Sequence, residues 1–160
     1  MANTTFNGPV RSENGFQDIT KNATTGAVTS TMTLKTYETT ITVANGATTG
    51  KEASIGIPSN FIPMAVTVVV TSAAGNSVTL NDIGTDADTD GFVDGISPAI
   101  NSVGFKGFFP CNGVLGMSGG ATTAATETAD EVELVVSGDP GADTVIVLKF
   151  FGISSSSDAS

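Results

Sequence analysis

VTLNDIGTDADTDGFVDGI, residues 78–96, begins as an alternating strand, breaks into an Asp-rich loop and resumes as a short apolar piece. Two readings compete for it. In one, evenly spaced carboxylates converge on a cation. In the other, the Asp side chains bond their own backbone and shape a strand-to-strand connection. What flanks the loop decides between a metal-centred protein and a plain sheet protein.

Upstream lies PSNFIPMAVTVVVTS, residues 58–72, a Pro-bounded corner followed by the most hydrophobic strand of the chain. Met64, Val66, Val68 and Val70 alternate with Ala65, Thr67, Val69 and Thr71, and the extra apolar Val69 marks a central strand. Further back, Val28, Met32 and Leu34 share one face of AVTSTMTLK, and Tyr37, Ile41 and Val43 share one face of YETTITVA. Both patterns fit half-buried strands with one wet face. Asn45-Gly46 supplies a turn, since both residues tolerate positive φ, and KEASIGI follows as a third strand.

Downstream, residues 97–126 are loop-rich, with short strand candidates near Ile100–Phe105 and Val114–Met117 and a concentration of phenylalanines at 105, 108 and 109. DEVELVVSG then alternates Val132, Leu134 and Val136 against Glu131, Glu133 and Val135. After the turn Asp139-Pro140-Gly141, ADTVIVLKFFGI closes the domain as a hairpin partner. About eight strands at this spacing, with no helical period, predict an all-β sandwich or barrel.

Both ends read as different material. Residues 1–26 are punctuated by Gly, Asn and Pro, with Phe6, Val10, Phe16 and Ile19 set singly, so the segment cannot bury a face of its own. A disordered terminus and an extended arm whose anchors dock on a neighbouring subunit are both open. The expected division is an arm at 1–26, a sandwich at 27–153 and a flexible polar tail at 154–160.

Composition excludes several roles. The net charge is −10, and the six Lys and Arg are scattered, which argues against a nucleic-acid surface. Met1–Thr5 has neither the basic nor the apolar region of a signal peptide, and the apolar run at Met64–Val70 is too short to span a membrane. Sequons at Asn3 and Asn22 matter only on a eukaryotic secretory route. The single cysteine, Cys111, forms no internal disulfide.

FIPMAVTVVVTS, LNDIGTDADTDGF and DEVELVVSGDPGADTVIVLKFFGI together resemble the jelly-roll β-sandwich proteins encoded among tailed-phage structural genes, including capsid decoration (cement) proteins. The opening TTFNGPVRSENGF resembles the start of marine and cyanophage virion proteins. The resemblance implies a jelly-roll sandwich on the capsid exterior. Such a protein would bind the major capsid protein, self-associate as a trimer and brace neighbouring capsomers.

The chemistry weighs less. Asp86, Asp88, Asp90, Gly91 and Asp94 stand at positions one, three, five, six and nine of an EF-hand-like calcium loop, with the Phe92 carbonyl at seven. Position twelve is Ser97 rather than a bidentate Glu, and no helices flank the loop. Gly116-Met117-Ser118-Gly119-Gly120 matches a nucleophile elbow, but the chain has no histidine to serve as base, which also removes Cys–His catalysis at Cys111. Glu131 and Glu133 share a strand face, yet there is no Trp and one Tyr to form a sugar platform, so a solvated face is the reading.

The sequence therefore predicts a non-enzymatic virion protein with no resident cofactor, calcium at the Asp loop remaining open. Contact residues are expected at Phe6, Val10 and Phe16 of the arm and at Phe105, Phe108 and Phe109. The rival is a calcium-dependent carbohydrate-binding or fibre/tail adhesion module.

Overall fold

The computed structural model describes residues 17–26, 28–53, 57, 61–116 and 131–156. Eight strands account for most of them: β1 (Gln17–Lys21), β2 (Val28–Val43), β3 (Thr49–Lys51), β4 (Phe61–Ser72), β5 (Leu80–Thr85), β6 (Gly104–Pro110), β7 (Val132–Val136) and β8 (Thr144–Ser156). They form two antiparallel sheets, β1-β2-β8-β4-β6 and β3-β7-β5. The chain is an all-β sandwich.

The strand order identifies the kind of sandwich. Past β5, Val93 returns beside Ile83 and Ala99 beside Thr79 as isolated antiparallel bridges, which supply a rudimentary strand at that edge. Counting β2 as first and this bridge segment as fifth, one sheet reads first-eighth-third-sixth and the other second-seventh-fourth-fifth. Successive elements, apart from the fourth and fifth, cross from one sheet to the other, as in a jelly roll of two Greek keys.

Each sheet forms because its sequence alternates. In β8, Ile146, Leu148 and Phe150 are fully buried, while Val145, Val147, Lys149 and Phe151 between them are half-buried on the opposite face. β4 sets Val66 and Val68 against Phe150 and Leu148. From the other sheet come Leu80, Ile83, Val132 and Leu134, all fully buried. Phe92, on the return from the Asp loop, meets Phe150 edge-on at 5.5 Å and 67°, so one aromatic pair joins the loop to the larger sheet. Burying each such side chain stabilises the fold by roughly 1.5–3 kcal/mol.

Strand limits differ from the sequence pattern in instructive ways. The two segments expected on either side of Thr36 are one continuous strand, β2, because β8 pairs with it without interruption from Thr31 to Val43. β3 is confined to Thr49–Lys51, where β7 offers it three partners. The expected strand near Val114 is absent: residues 111–116 form a loop, with Leu115 N–H donating to the Gly91 carbonyl. At the two ends, β1 pairs with Val28–Thr33 and β8 runs to Ser156, so residues within both expected terminal segments belong to the larger sheet.

Candidate functional site

The largest departure from ordinary burial is on the outer face of the five-stranded sheet. Of the six large hydrophobic residues found exposed, Leu34, Met64, Phe105 and Phe108 lie in its strands. Cross-strand register orders the outward side chains in rows. Phe105, Val69, Val147 and Thr40 make one row, and Phe108, Thr67, Lys149 and Glu38 the next. Further along, Ile62, Ile153 and Leu34 line up. The Phe108 ring lies 5.9 Å from Phe151 at a 54° tilt. Lys149 Nζ stands 3.6 Å from Glu38 Oε2, the one ion pair on this face among the described residues.

A local irregularity builds this surface. Residues 105 and 108 are three apart, so in a regular strand they would face opposite sides. The β4–β6 register shifts between Val68 and Val69, leaving Lys106 as the extra residue. Phe105 therefore pairs with Val69 and Phe108 with Thr67, both outward, and the two rings are 65% and 60% exposed. Gly107 beside the bulge has no room for a Cβ, which would press on the Phe109 ring. Phe109 points the other way: it pairs with Val66 and packs half-buried against the core. Alternation separates the three phenylalanines named from the sequence into two outward rings and one inward ring. Phe6, Val10 and Phe16 lie outside the described residues, as does Ser118.

At the opposite sheet, hydrogen bonds within the Asp loop shape its turn. Thr85 N–H donates to the Asp88 carbonyl at 2.8 Å, Asp88 N–H donates back to Thr85, and Gly91 N–H shares the Asp88 carbonyl at 3.0 Å. Gly84 is required beneath, since a Cβ there would strike that same carbonyl. Lys51 engages Asp86 and lies 3.7 Å from Glu133. Asp88 and Asp90 face each other, and the hydrogen bond from Asp90 raises the Asp88 carboxyl above its ordinary value. Asp94 sits apart, its backbone bonded both ways to the Asn112 amide. Among the described residues no three His, Cys, Asp or Glu side chains are grouped so as to hold a metal ion.

Glu133 differs from its expected place on a wet face: it is buried, because the adjacent Gly84 leaves space and Lys51 on β3 meets it. A second buried carboxylate, Glu52, escaped the sequence reading. Its Oε1 accepts from Val132 N–H at 2.9 Å and its Oε2 from the Tyr37 hydroxyl at 2.8 Å, tying β2 of one sheet to β7 of the other. Cys111 is fully buried, and burial pushes its thiol up to about 12, which leaves it unreactive.

No family model matches the chain, and no curated protein does. Among solved structures it is similar to a chain of the cyanophage Pam1 capsid asymmetric unit, at 13% identity over 94% of each chain, with a TM-score of 0.46.

Proposed function

We propose that this chain is a structural protein of a phage virion that decorates the outer surface of the capsid. It binds the major capsid protein as a homotrimer and braces neighbouring capsomers, without catalysis and without a cofactor. The reading rests on the resemblance of FIPMAVTVVVTS, LNDIGTDADTDGF and the closing hairpin to jelly-roll decoration proteins. The observation that carries it furthest is the outward pair Phe105 and Phe108, held side by side on the outer face of the jelly roll and more than half exposed. Rings so exposed are characteristic of surfaces that meet another protein.

The mechanism is distributed adhesion. A few apolar anchors per copy, repeated around a shell, sum through multivalency to strong attachment. The arm anchors Phe6, Val10 and Phe16 would add contacts on adjacent subunits, and Phe105 and Phe108 would contribute to a subunit or shell contact. Light scattering of the free protein and co-sedimentation with undecorated shells of the encoding virus test the reading together. A trimer that saturates the shell is the expected result. A monomer that stays in the supernatant would overturn it.

A further inference from the structure

Three charged side chains meet on the outer face of the three-stranded sheet. Register puts Lys51 of β3, Glu133 of β7 and Gly84 of β5 in one row, with Glu133 in the middle. The Thr85–Asp88 turn folds back over Gly84, so close that a Cβ there would strike the Asp88 carbonyl, and it carries Asp86 to the lysine. Lys51 Nζ contacts Asp86 Oδ1 and lies 3.7 Å from Glu133 Oε2. The Glu133 side chain is only 7% exposed, whereas those of Lys51 and Asp86 are 39% and 64% exposed. Among the described residues Lys51 is the one cation that either carboxylate meets. One ammonium shared between two carboxylates, one of them out of water, stabilises a fold poorly, since a buried charge costs more than a shared partner returns. The same arrangement holds a nucleophile, an electrophile and a proton acceptor together.

From this geometry we infer that Lys51 and Asp86 join in an intramolecular isopeptide bond, with Glu133 moving the protons. The contact with Asp86 raises Lys51 above its ordinary value, so the pair rests as ammonium and carboxylate. The amine attacks only after a base has taken a proton from it, and Glu133 is placed to do so without being the electrophile. Glu133 passes that proton to an Asp86 oxygen, and a neutral amine then faces a neutral carboxyl group. The Nζ lone pair attacks Asp86 Cγ and forms the N–C bond. A second proton moves from the nitrogen through Glu133 to the oxygen that leaves, Cγ–O breaks, and water departs. The third ammonium proton stays on the amide nitrogen, so atoms and charge balance with no oxidant or cofactor. The exposure of Asp86 lets the water escape. This is one event per chain rather than turnover, and it goes beyond the decoration reading without depending on it. The bond would tie β3 to β5 across β7 and close residues 51–86 into a covalent ring, which restricts the unfolded chain as a disulfide does.

Intact-mass spectrometry of the purified full chain tests this, each protein being compared with the mass of its own sequence and checked for cooperative thermal unfolding. The wild type should be lighter by one water, and its proteolytic digest should contain a branched peptide joining Lys51 to Asp86. On a denaturing gel it should run ahead of the variants, because a closed ring is more compact than an open chain. Lys51→Arg keeps the ion pair but loses the nucleophilic amine, and Asp86→Ala loses the electrophile, so both should carry their full mass. Glu133→Gln should lose its water about a hundredfold more slowly or not at all. If that buried substitution fails to fold, the other two still decide whether the bond exists. A wild type at full mass overturns the inference. So does a missing water that persists in Lys51→Arg, because the dehydration is then a succinimide at an aspartate such as Asp90 or Asp94, each followed by glycine. A cross-link formed by Glu133→Gln as fast as by the wild type also overturns it, since the pair then reacts without the buried carboxylate. None of these results bears on shell binding, so the decoration reading stands or falls separately.

Discussion

At Tyr37 a single hydroxyl does what neither sheet's ladder can, reaching Glu52 across the sandwich. Removing it in Tyr37→Phe takes a hydrogen bond away from a buried carboxylate, a loss of about 1–3 kcal/mol readable from urea midpoints. Burial, and after it the hydrogen bond to Glu52, pushes the phenol up to about 12. The unfolded chain releases that proton near pH 10, so the stabilisation is complete below about pH 10 and is lost as the pH climbs towards 12. Wild type and Tyr37→Phe should therefore converge in stability across that window. Parallel pH curves would refute the assignment. Asp139 shows the opposite sign. Its Oδ1 accepts from Gly141 N–H and Gly46 N–H, both at 2.8 Å, and these bonds hold its carboxyl below the usual range. The stabilisation exists above about pH 4 and is lost as the pH falls through the lowered value. Asp139→Asn should be less stable at neutral pH and lose less on acidification, which thermal melts at both ends would show. The Asn45-Gly46 and Asp139–Gly141 turns were each legible as turns. That Asp139 clasps the two, 93 residues apart, was not, because turn signals say nothing about which loops meet.

Elements were legible where alternation is strict and illegible where a neighbour decides. Val66, Val68 and Val70 face the core as their spacing requires. KEASIGI, residues 51–57, reads as a strand by its pattern, yet β3 lies at Thr49–Lys51 and shares only Lys51 with it, because those three residues are the ones that β7 pairs; residues 54–56 lie outside those described. The bulge at Lys106 was invisible for a related reason: a bulge is a property of two registers, and GFKGFFP shows only one. Gly152 makes the same point on β8. It stands on the core face, and a Cβ there would strike the Ile62 carbonyl and the Phe61 ring. Gly152→Ala should therefore destabilise by about 1–3 kcal/mol through overpacking, although alanine is ordinarily harmless in a strand. An unchanged denaturation midpoint would mean that β4 shifts to make room. The Asp loop belongs at this scale too. Its carboxylate spacing left a cation site and a backbone-shaped turn both open, and spacing cannot reveal that Lys51 engages Asp86 or that Asp94 sits apart beside Asn112.

The whole molecule joins these parts through topology. Sandwich class followed from alternation and turn spacing, but the expected number of strands agrees only because the merger of two segments into β2 and the loss of the one near Val114 are offset by β1, and the larger sheet's extent depended on terminal pairings that no local pattern announces. Gln17–Lys21 was grouped with a polar arm because its single Ile19 buries no face of its own, yet its backbone pairs with Val28–Thr33 and caps one edge of the larger sheet. Strand and arm can be separated by two truncations. Deleting residues 1–16 leaves β1 in place, and the melting temperature should stay within about a degree, since no described pairing is lost. Deleting residues 1–26 strips β1 and opens the β2 edge, which then presents unpaired N–H and carbonyl groups to other molecules. That variant should melt a few degrees lower and associate as its concentration rises, a change light scattering detects. If the longer deletion behaves like the shorter one, β1 contributes nothing to the sheet in solution. If the shorter deletion alone abolishes shell binding at an unchanged melting temperature, residues 1–16 hold the shell, and the anchors Phe6, Val10 and Phe16 act in assembly rather than in folding.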